Sequence, residues 1–330
     1  MSLRTAVIGV GSLGRQHARI HRTLAAEGAS EFVAVCDLNE ETARGVSEER
    51  SVEWTRDWRE LIGRVDAVSL AVPTEAHCEI ACELLEQGIH VLVEKPISRT
   101  LEEADRMIRA AQKGNALVQV GHLERFNPAL VALRPHVRKP VYFEIHRVGQ
   151  FTARSLDIDV VLDLMIHDLD IVQWLVGEDV EVTNIHAVGI AILTNKVDAA
   201  NARLEFSSGA VANITASRVG TERIRKMRFF QPHDYIAVDY TTKRASVSSL
   251  APPSASGSWP GVHIKHLDVV DVEPLRAEIV SFFDSAANSL PPAVSGADGR
   301  NALSLALRTL ERIRQHAEHP GVSELSANVR

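Results

Sequence analysis

Gly9-Val10-Gly11-Ser12-Leu13-Gly14 sets three glycines at the spacing G-x-G-x-x-G, after a short β-branched run and at the opening of a helical stretch. In that context the first glycine permits a tight turn, the second lets backbone approach a pyrophosphate, and the third lets helix pack on strand. Ser12 and Leu13 complete the loop, whose N–H groups and positive helix end suit a phosphate. Asp37 closes the second apolar run 23 residues after Gly14, where a carboxylate can accept hydrogen bonds from ribose hydroxyls. Its charge repels a 2′-phosphate, and no Arg follows among Leu38, Asn39 and Glu40, so NAD is expected in preference to NADP. The plainer alternative is a tight turn with Asp37 as a helix cap.

Two further groups suit proton transfer. Lys95 follows the apolar run Ile89 to Val93 at the carboxyl edge of an expected parallel strand, where open α/β sheets place their ligands; an exposed cap is the alternative. Downstream, Asp163 and His167 fall in a helical stretch from about Asp159 to Val176. With Leu162 at zero on a wheel of about 100° per residue, Asp163 lies at about 100°, His167 at about 140°, Asp170 at about 80° and Trp174 at about 120°. The rest of that circumference is mostly apolar, so the helix is expected to be buried, with its polar stripe facing a cleft or a structural salt bridge. Cys78 and Cys82 lie one helical turn apart without a second Cys or His pair at zinc spacing, so no metal site is expected. With Cys36 they are read as small buried thiols in a reducing compartment.

The elements that must position these residues change character once along the chain. Up to Gly121, apolar runs at Ala6–Val10, Phe32–Cys36, Ala67–Val72, Ile89–Val93 and Ala116–Val120 alternate with helical stretches, which predicts βαβ units and a doubly wound parallel Rossmann sheet. Beyond it, alternating runs succeed one another from Val141 to Tyr240, interrupted by the helix at 159–176 and followed by helices at about Pro274–Ser289 and Arg300–His316. That is an α/β domain followed by an α+β domain with a large, mainly antiparallel sheet and helices on one face. The expected division is a NAD-binding domain at 1–121 and a substrate-binding and oligomerisation domain at 122–330, whose C-terminal helix can pack back on the first. The segment Leu250 to Gly261, rich in Pro, Ser and Gly, reads as a surface loop.

The run Gly88 to Pro96, ending Glu94-Lys95-Pro96, together with the opening glycines and the D-x-x-x-H pattern Asp163-Leu-Met-Ile-His167, resembles the Gfo/Idh/MocA oxidoreductases. The resemblance implies that Lys95 and His167 are catalytic, that Asp163 assists, and that Glu94 lies near the nicotinamide ribose. It also implies that Pro73, Thr74 and His77 form the cofactor loop after the fourth strand, although Pro73 and Thr74 stand in the reverse of the usual order. Oxidation of a secondary alcohol needs a base at the hydroxyl and a donor to the developing alkoxide. His167, held by Asp163, suits the first role and Lys95 the second; the reversed assignment is the alternative. Gly121 to Pro128 is similar to the branch of the family that oxidises the 3-hydroxyl of UDP-N-acetylhexosamines, which adds Arg125 and Asn127 as substrate-binding candidates beside Lys95, Asp163 and His167. A free aldose or inositol dehydrogenase and a non-catalytic NAD-binding regulator are the other readings.

Charge narrows the partners. Thirty-six Lys and Arg against 43 Asp and Glu leave a net charge of −7, which disfavours nucleic acid and anionic membrane. Arg154 and the run Arg218, Arg223, Arg225, Lys226 and Arg228 stand out locally, either as a diphosphate site or as charge protecting a sheet edge. The N-terminal apolar run is too short for a secretory signal, and no stretch reaches membrane-spanning length, so a cytoplasmic protein with a small sugar or sugar-nucleotide substrate is expected. Strands apolar on both faces, such as Val182–Ile192, predict a homodimer or homotetramer through the C-terminal sheet.

Overall fold

The computed structural model describes residues 2–150, 158–177, 179–250 and 261–319. The first apolar runs form β1 (Arg4–Ile8), β2 (Glu31–Cys36), β3 (Glu53–Thr55), β4 (Ala67–Leu70), β5 (His90–Glu94) and β6 (Val118–Gly121). Their order in the sheet is β3-β2-β1-β4-β5-β6, every pair parallel. Helices α1 (Gly14–Ala26), α2 (Glu40–Arg50), α3 (Thr74–Glu86) and α4 (Leu101–Gly114) make the crossovers. α2 and α4 start where Asn39 and Thr100 accept the Thr42 and Glu103 N–H groups, each cap followed by two glutamates at the positive helix end. The chain order reverses beside β1, so the loops after β1 and β4 open at the point where doubly wound sheets bind nucleotides.

Later elements are α5 (Pro128–Leu133), β7 (Tyr142–Gln150), α6 (Ile166–Val176), β8 (Val182–Ile190), β9 (Ala199–Phe206), β10 (Val211–Gly220), β11 (Ile224–Gln231), β12 (Asp234–Asp239), β13 (Arg244–Leu250), β14 (Val262–His266), α7 (Pro274–Asn288) and α8 (Gly296–Ala317). The second sheet runs β14-β13-β12-β11-β7-β10-β9-β8, antiparallel except for the β7–β10 pair. Burial alternates along its strands. Ala202, Leu204, Ala212, Ile214, Phe143, Ile145, Met227 and Phe229 line the inner face, while Val188, Ile190 and Phe230 are exposed on the other. β11 therefore lies inside the sheet, which corrects the reading of its cations as edge protection. The edges are β14 and β8, and Arg308 of α8 donates to the Val182 carbonyl of β8.

The chain divides into two compact units, Met1–Phe126 with Val272–Leu303, and Asn127–Asp271 with Ser304–Arg330. The change of rhythm at Gly121 thus falls close to the first crossing, and α7 returns to the first unit. The reason is apolar: Leu275, Ile279, Phe282 and Phe283 of α7 form one cluster with Ile20, Leu24, Ala67 and Leu92.

Three features differ from the sequence reading. The helix at 159–176 begins with a π-helical turn, Val161–Met165, in which the Ile166 N–H reaches the Val161 carbonyl five residues back. A wheel of constant angle does not apply across it. Strands β13 and β14 emerge from segments too polar to stand out, and α5 is a short helix whose start is set by Asn127 and Pro128. Arg154, and most of the loop expected between Leu250 and Gly261, lie outside the described residues.

Candidate functional site

In the first unit the glycine loop is shaped by the protein's own backbone at two of its three glycines. Gly9 has φ +81°, and a Cβ there would lie 2.6 Å from the Ala71 carbonyl oxygen at the end of β4. A Cβ on Gly14 would lie 1.8 Å from the Gly9 oxygen. Gly11 is different, because a Cβ there would meet nothing within 4 Å. The protein's packing leaves that side open, as a close-approaching ligand requires. Ser12 and Leu13 are exposed beside it, α1 has no side-chain cap, and its first turn holds no acidic residue. Those N–H groups remain suited to an anion.

Asp37 is fixed across the loop. One carboxylate oxygen accepts the Val10 N–H at 2.8 Å and the other accepts the Asn39 N–H at 2.9 Å. Each oxygen keeps a second lone pair for a hydroxyl. The residues present therefore fit a dinucleotide: an open glycine edge for its phosphates and an oriented carboxylate for a ribose.

The loops after β4 and β5 are tied together by His77, which is buried. Its Nε2 lies 3.0 Å from the Val72 carbonyl oxygen and its Nδ1 lies 3.1 Å from that of Pro96. Burial lowers the proton affinity of this ring. His77 thus holds Pro73 and Thr74, at the start of α3, beside the Glu94-Lys95-Pro96 segment, whose Lys95–Pro96 peptide is cis.

Glu94 is held at both carboxylate oxygens. Its Oε1 accepts from His17 Nε2 at 2.9 Å, and its Oε2 accepts the Lys95 N–H at 3.2 Å. Burial alone would raise its pKa, but the His17 hydrogen bond and the charges of His17 and Lys95 outweigh that and hold it below the usual carboxylate range. Gly121, the register partner of Glu94, has no room for a side chain, because a Cβ would lie 2.9 Å from Oε2.

Arg125 and Asn127 take scaffold positions. Arg125 is buried and donates to Asp298 at 3.1 Å, while Asp298 accepts the N–H and hydroxyl of Ser295. Asn127 caps α5 by accepting the Ala129 N–H, and its amide donates to the Tyr240 carbonyl. An Asn-Pro pair opening a helix is itself a cap signature, so sequence could have indicated this role.

In the second unit, Asp163 lies within the π-helical turn and His167 in the first turn of α6; both are half-buried. Asp170, expected on the same stripe, is fully buried. The helix also carries a residue that the sequence did not single out. Asp168 makes a bidentate ion pair with buried Arg147 of β7, at 2.7 and 2.8 Å. An Arg fork matches a carboxylate in this geometry. Arg147 fixes the helix and leaves the polar positions at 163 and 167 at its surface.

The basic run is largely answered by acids. Arg218 is buried with its Nε 3.7 Å from Asp198, Lys226 lies 3.7 Å from Asp239, and Arg228 lies 3.1 Å from Glu144. Burial would raise the Asp198 pKa, but the N–H groups of Thr194, Ile192 and Leu193 and the Thr194 hydroxyl hold it at about 2. Cys36 and Cys82 are free thiols, each pushed up to about 12 chiefly by burial. Among the described residues no cluster of three metal-ligating side chains occurs and no helix is long and apolar enough to cross a membrane.

Comparison with known proteins agrees with this architecture. Residues 3–122 match the Gfo/Idh/MocA pattern described as an oxidoreductase family with an NAD-binding Rossmann fold, and residues 130–230 match the Gfo/Idh/MocA C-terminal domain. The chain is 38% identical over 307 residues to the UDP-N-acetylglucosamine 3-dehydrogenase of Acidithiobacillus ferrooxidans, covering 93% of this chain and 96% of that one. A solved structure of that enzyme superposes with a TM-score of 0.87 at 36% identity, over 95% of this chain and 98% of that one. The myo-inositol 2-dehydrogenase of Thermotoga maritima is 28% identical over 335 residues, 94% of this chain and 97% of that one. Levoglucosan dehydrogenase in complex with NADH and levoglucosan shares the fold, with a TM-score of 0.84 at 19% identity, over 96% of this chain and 98% of that one. The chain belongs to the Gfo/Idh/MocA oxidoreductase family and is a nicotinamide-dependent dehydrogenase acting on CH–OH groups.

Proposed function

We propose that the protein oxidises the 3-hydroxyl of a UDP-N-acetylhexosamine, with NAD as cofactor. The observation that carries the substrate is the 38% identity with a UDP-N-acetylglucosamine 3-dehydrogenase across nearly the whole of both chains. Asp37 carries the cofactor choice, because an oriented carboxylate accepts from ribose hydroxyls and repels a 2′-phosphate.

Gly9, Gly11, Ser12, Leu13 and Gly14 hold the pyrophosphate, Asp37 the adenosine ribose, and Pro73, Thr74 and Glu94 the nicotinamide end, with His77 fixing the two loops. When bound, the cofactor supplies the hydride acceptor. His167 takes the hydroxyl proton as the carbonyl forms, since imidazole is the side chain suited to that task near neutral pH. Asp163 orients the ring. Lys95 donates to the oxygen as it gains alkoxide character and loses that interaction less readily than a neutral donor would. Arg125 and Asn127 act through the scaffold, by fixing α8 and α5. The protein works as a cytoplasmic homo-oligomer joined through the exposed face of the second sheet, where Val188, Ile190 and Phe230 are uncovered.

The test mixes the protein with NAD or NADP and a panel of UDP-sugars, free sugars and inositols, and follows the absorbance of reduced nicotinamide. Turnover of a UDP-N-acetylhexosamine with NAD is expected. Lys95→Ala and His167→Ala should each keep NAD affinity and lose kcat by at least about 10²-fold. Turnover confined to free sugars or polyols would move the protein to the inositol dehydrogenase side of the family. Tight NAD binding without turnover of any of them would make it a regulator.

A further inference from the structure

The first unit buries a second carboxyl that the proposed chemistry does not use. Glu278 lies on α7, is wholly buried, and among the described residues neither of its carboxyl oxygens has a hydrogen-bond partner. Two unpaired oxygens in such a place are far less costly on a neutral acid than on an anion. α7 packs against α1, β5 and the short 3₁₀ turn Leu123–Phe126. Gln119 of β6, beside Leu92 of β5 in register, donates to the Glu278 backbone carbonyl at 3.3 Å.

Those elements carry the following titratable and charged groups. α1 contributes His17, Arg19 and His21, with Arg15 and Arg22 exposed; β5 and the residue after it contribute Glu94 and Lys95, with His90 at the far end of the strand accepting the Leu117 N–H; the 3₁₀ turn and the residue before it contribute His122, Glu124 and Arg125. Arg19 is paired with Glu273, Arg125 with Asp298, and His21 lies between Thr5 and Ser69, while His17 bonds Glu94. Glu94 is the charge that bears on Glu278. Burial first, and the Glu94 carboxylate second, push the Glu278 carboxyl well above its ordinary range.

We propose that Glu278 holds a proton against Glu94, and that this proton leaves for solvent when the positively charged, oxidised nicotinamide binds beside Glu94. The inference rests on the reading of Glu94 as a nicotinamide-side residue. Its consequence is that the charge of the nicotinamide ring separates the two cofactor forms: the cationic ring of NAD⁺ favours the ionised pair, whereas the uncharged ring of NADH leaves the proton where it is.

Titration calorimetry of the full-length protein with NAD⁺ and with NADH, from about pH 6 to 9, measures this directly. NAD⁺ affinity should rise with pH by up to about tenfold per unit, the limit for one released proton, while NADH affinity stays flat. Glu278→Gln, a neutral isostere, should remove the NAD⁺ slope. Its Tm should also gain on the parent as pH rises, because a raised folded-state pKa gives stability that is complete below the unfolded value and lost toward the raised one. Glu278→Leu provides the same loss of the proton should the amide fold poorly. A slope retained in both variants, an equal slope for NADH, or a Tm difference independent of pH would overturn the proposal. Binding of NAD⁺ without any slope overturns it alone; failure to bind either cofactor overturns the proposed function as well.

Discussion

At the mouth of the first unit, Asp37 is held by two backbone N–H groups, and Gly9 and Gly14 are each hemmed in by main chain, Gly9 by Ala71 and Gly14 by Gly9. In the second unit, the helix bearing Asp163 and His167 is held by a guanidinium, Arg147, that reaches Asp168 across 21 positions of sequence. The first arrangement is built into the turn and survives most side-chain changes nearby. The second depends on two buried charges meeting, and each is costly without the other.

That difference sets the largest expected effect. Arg147→Met should destabilise the protein by about 3–5 kcal/mol, because the buried Asp168 loses the guanidinium that pairs with both its oxygens. Adding Asp168→Leu should recover most of the loss, since removing both charges also removes their desolvation. Chemical denaturation of the two variants and the double variant measures the coupling. A single variant as stable as the parent would mean that the pair is not what fixes α6.

The glycines of the first unit give the complementary result. Gly14→Ala forces a Cβ against the Gly9 carbonyl with backbone on both sides, and should cost about 3 kcal/mol of stability. Gly11→Ala should leave stability nearly unchanged, because its Cβ enters open space, yet weaken NAD binding roughly tenfold or more. Equal NAD affinity in Gly11→Ala would place the pyrophosphate elsewhere.

The same contrast explains what could be read from sequence. The glycine loop, Asp37 and the βα rhythm are local patterns in which spacing alone fixes geometry. The Rossmann order of strands and the antiparallel character of the second sheet follow from the rhythm and its loss near Gly121. Asp168 and Glu278 were not legible, because each draws its meaning from groups far away in the chain, Arg147 and Glu94; Asp198 takes its partners from Ile192 to Thr194, four to six residues back, in a turn whose shape composition and spacing do not specify. The π-helical turn was also hidden, since periodicity assumes one angle per residue and an i to i+5 bond breaks it. Arg125 was read from its neighbours as a substrate contact; its ion pair with Asp298, 173 residues on, is a second relation that local spacing does not reveal.

Asp37 is the residue where the two kinds of support meet, and it carries the smallest of these effects. Its carboxylate oxygens accept the Val10 and Asn39 N–H groups of the loops after β1 and β2, while the carboxylate charge is proposed to choose the cofactor. Asp37→Asn keeps one oxygen acceptor and removes the charge, so the turn should persist while the preference for NAD over NADP falls about tenfold, equivalent to about 1.4 kcal/mol. Asp37→Ala removes both functions, leaving the Val10 and Asn39 N–H groups without their acceptor, and should cost about 1 kcal/mol of stability in addition. Dissociation constants for NAD and NADP in the parent and both variants separate the roles. If Asp37→Asn keeps the full preference for NAD, the carboxylate serves the turn alone, and the selection against a 2′-phosphate must come from shape rather than charge.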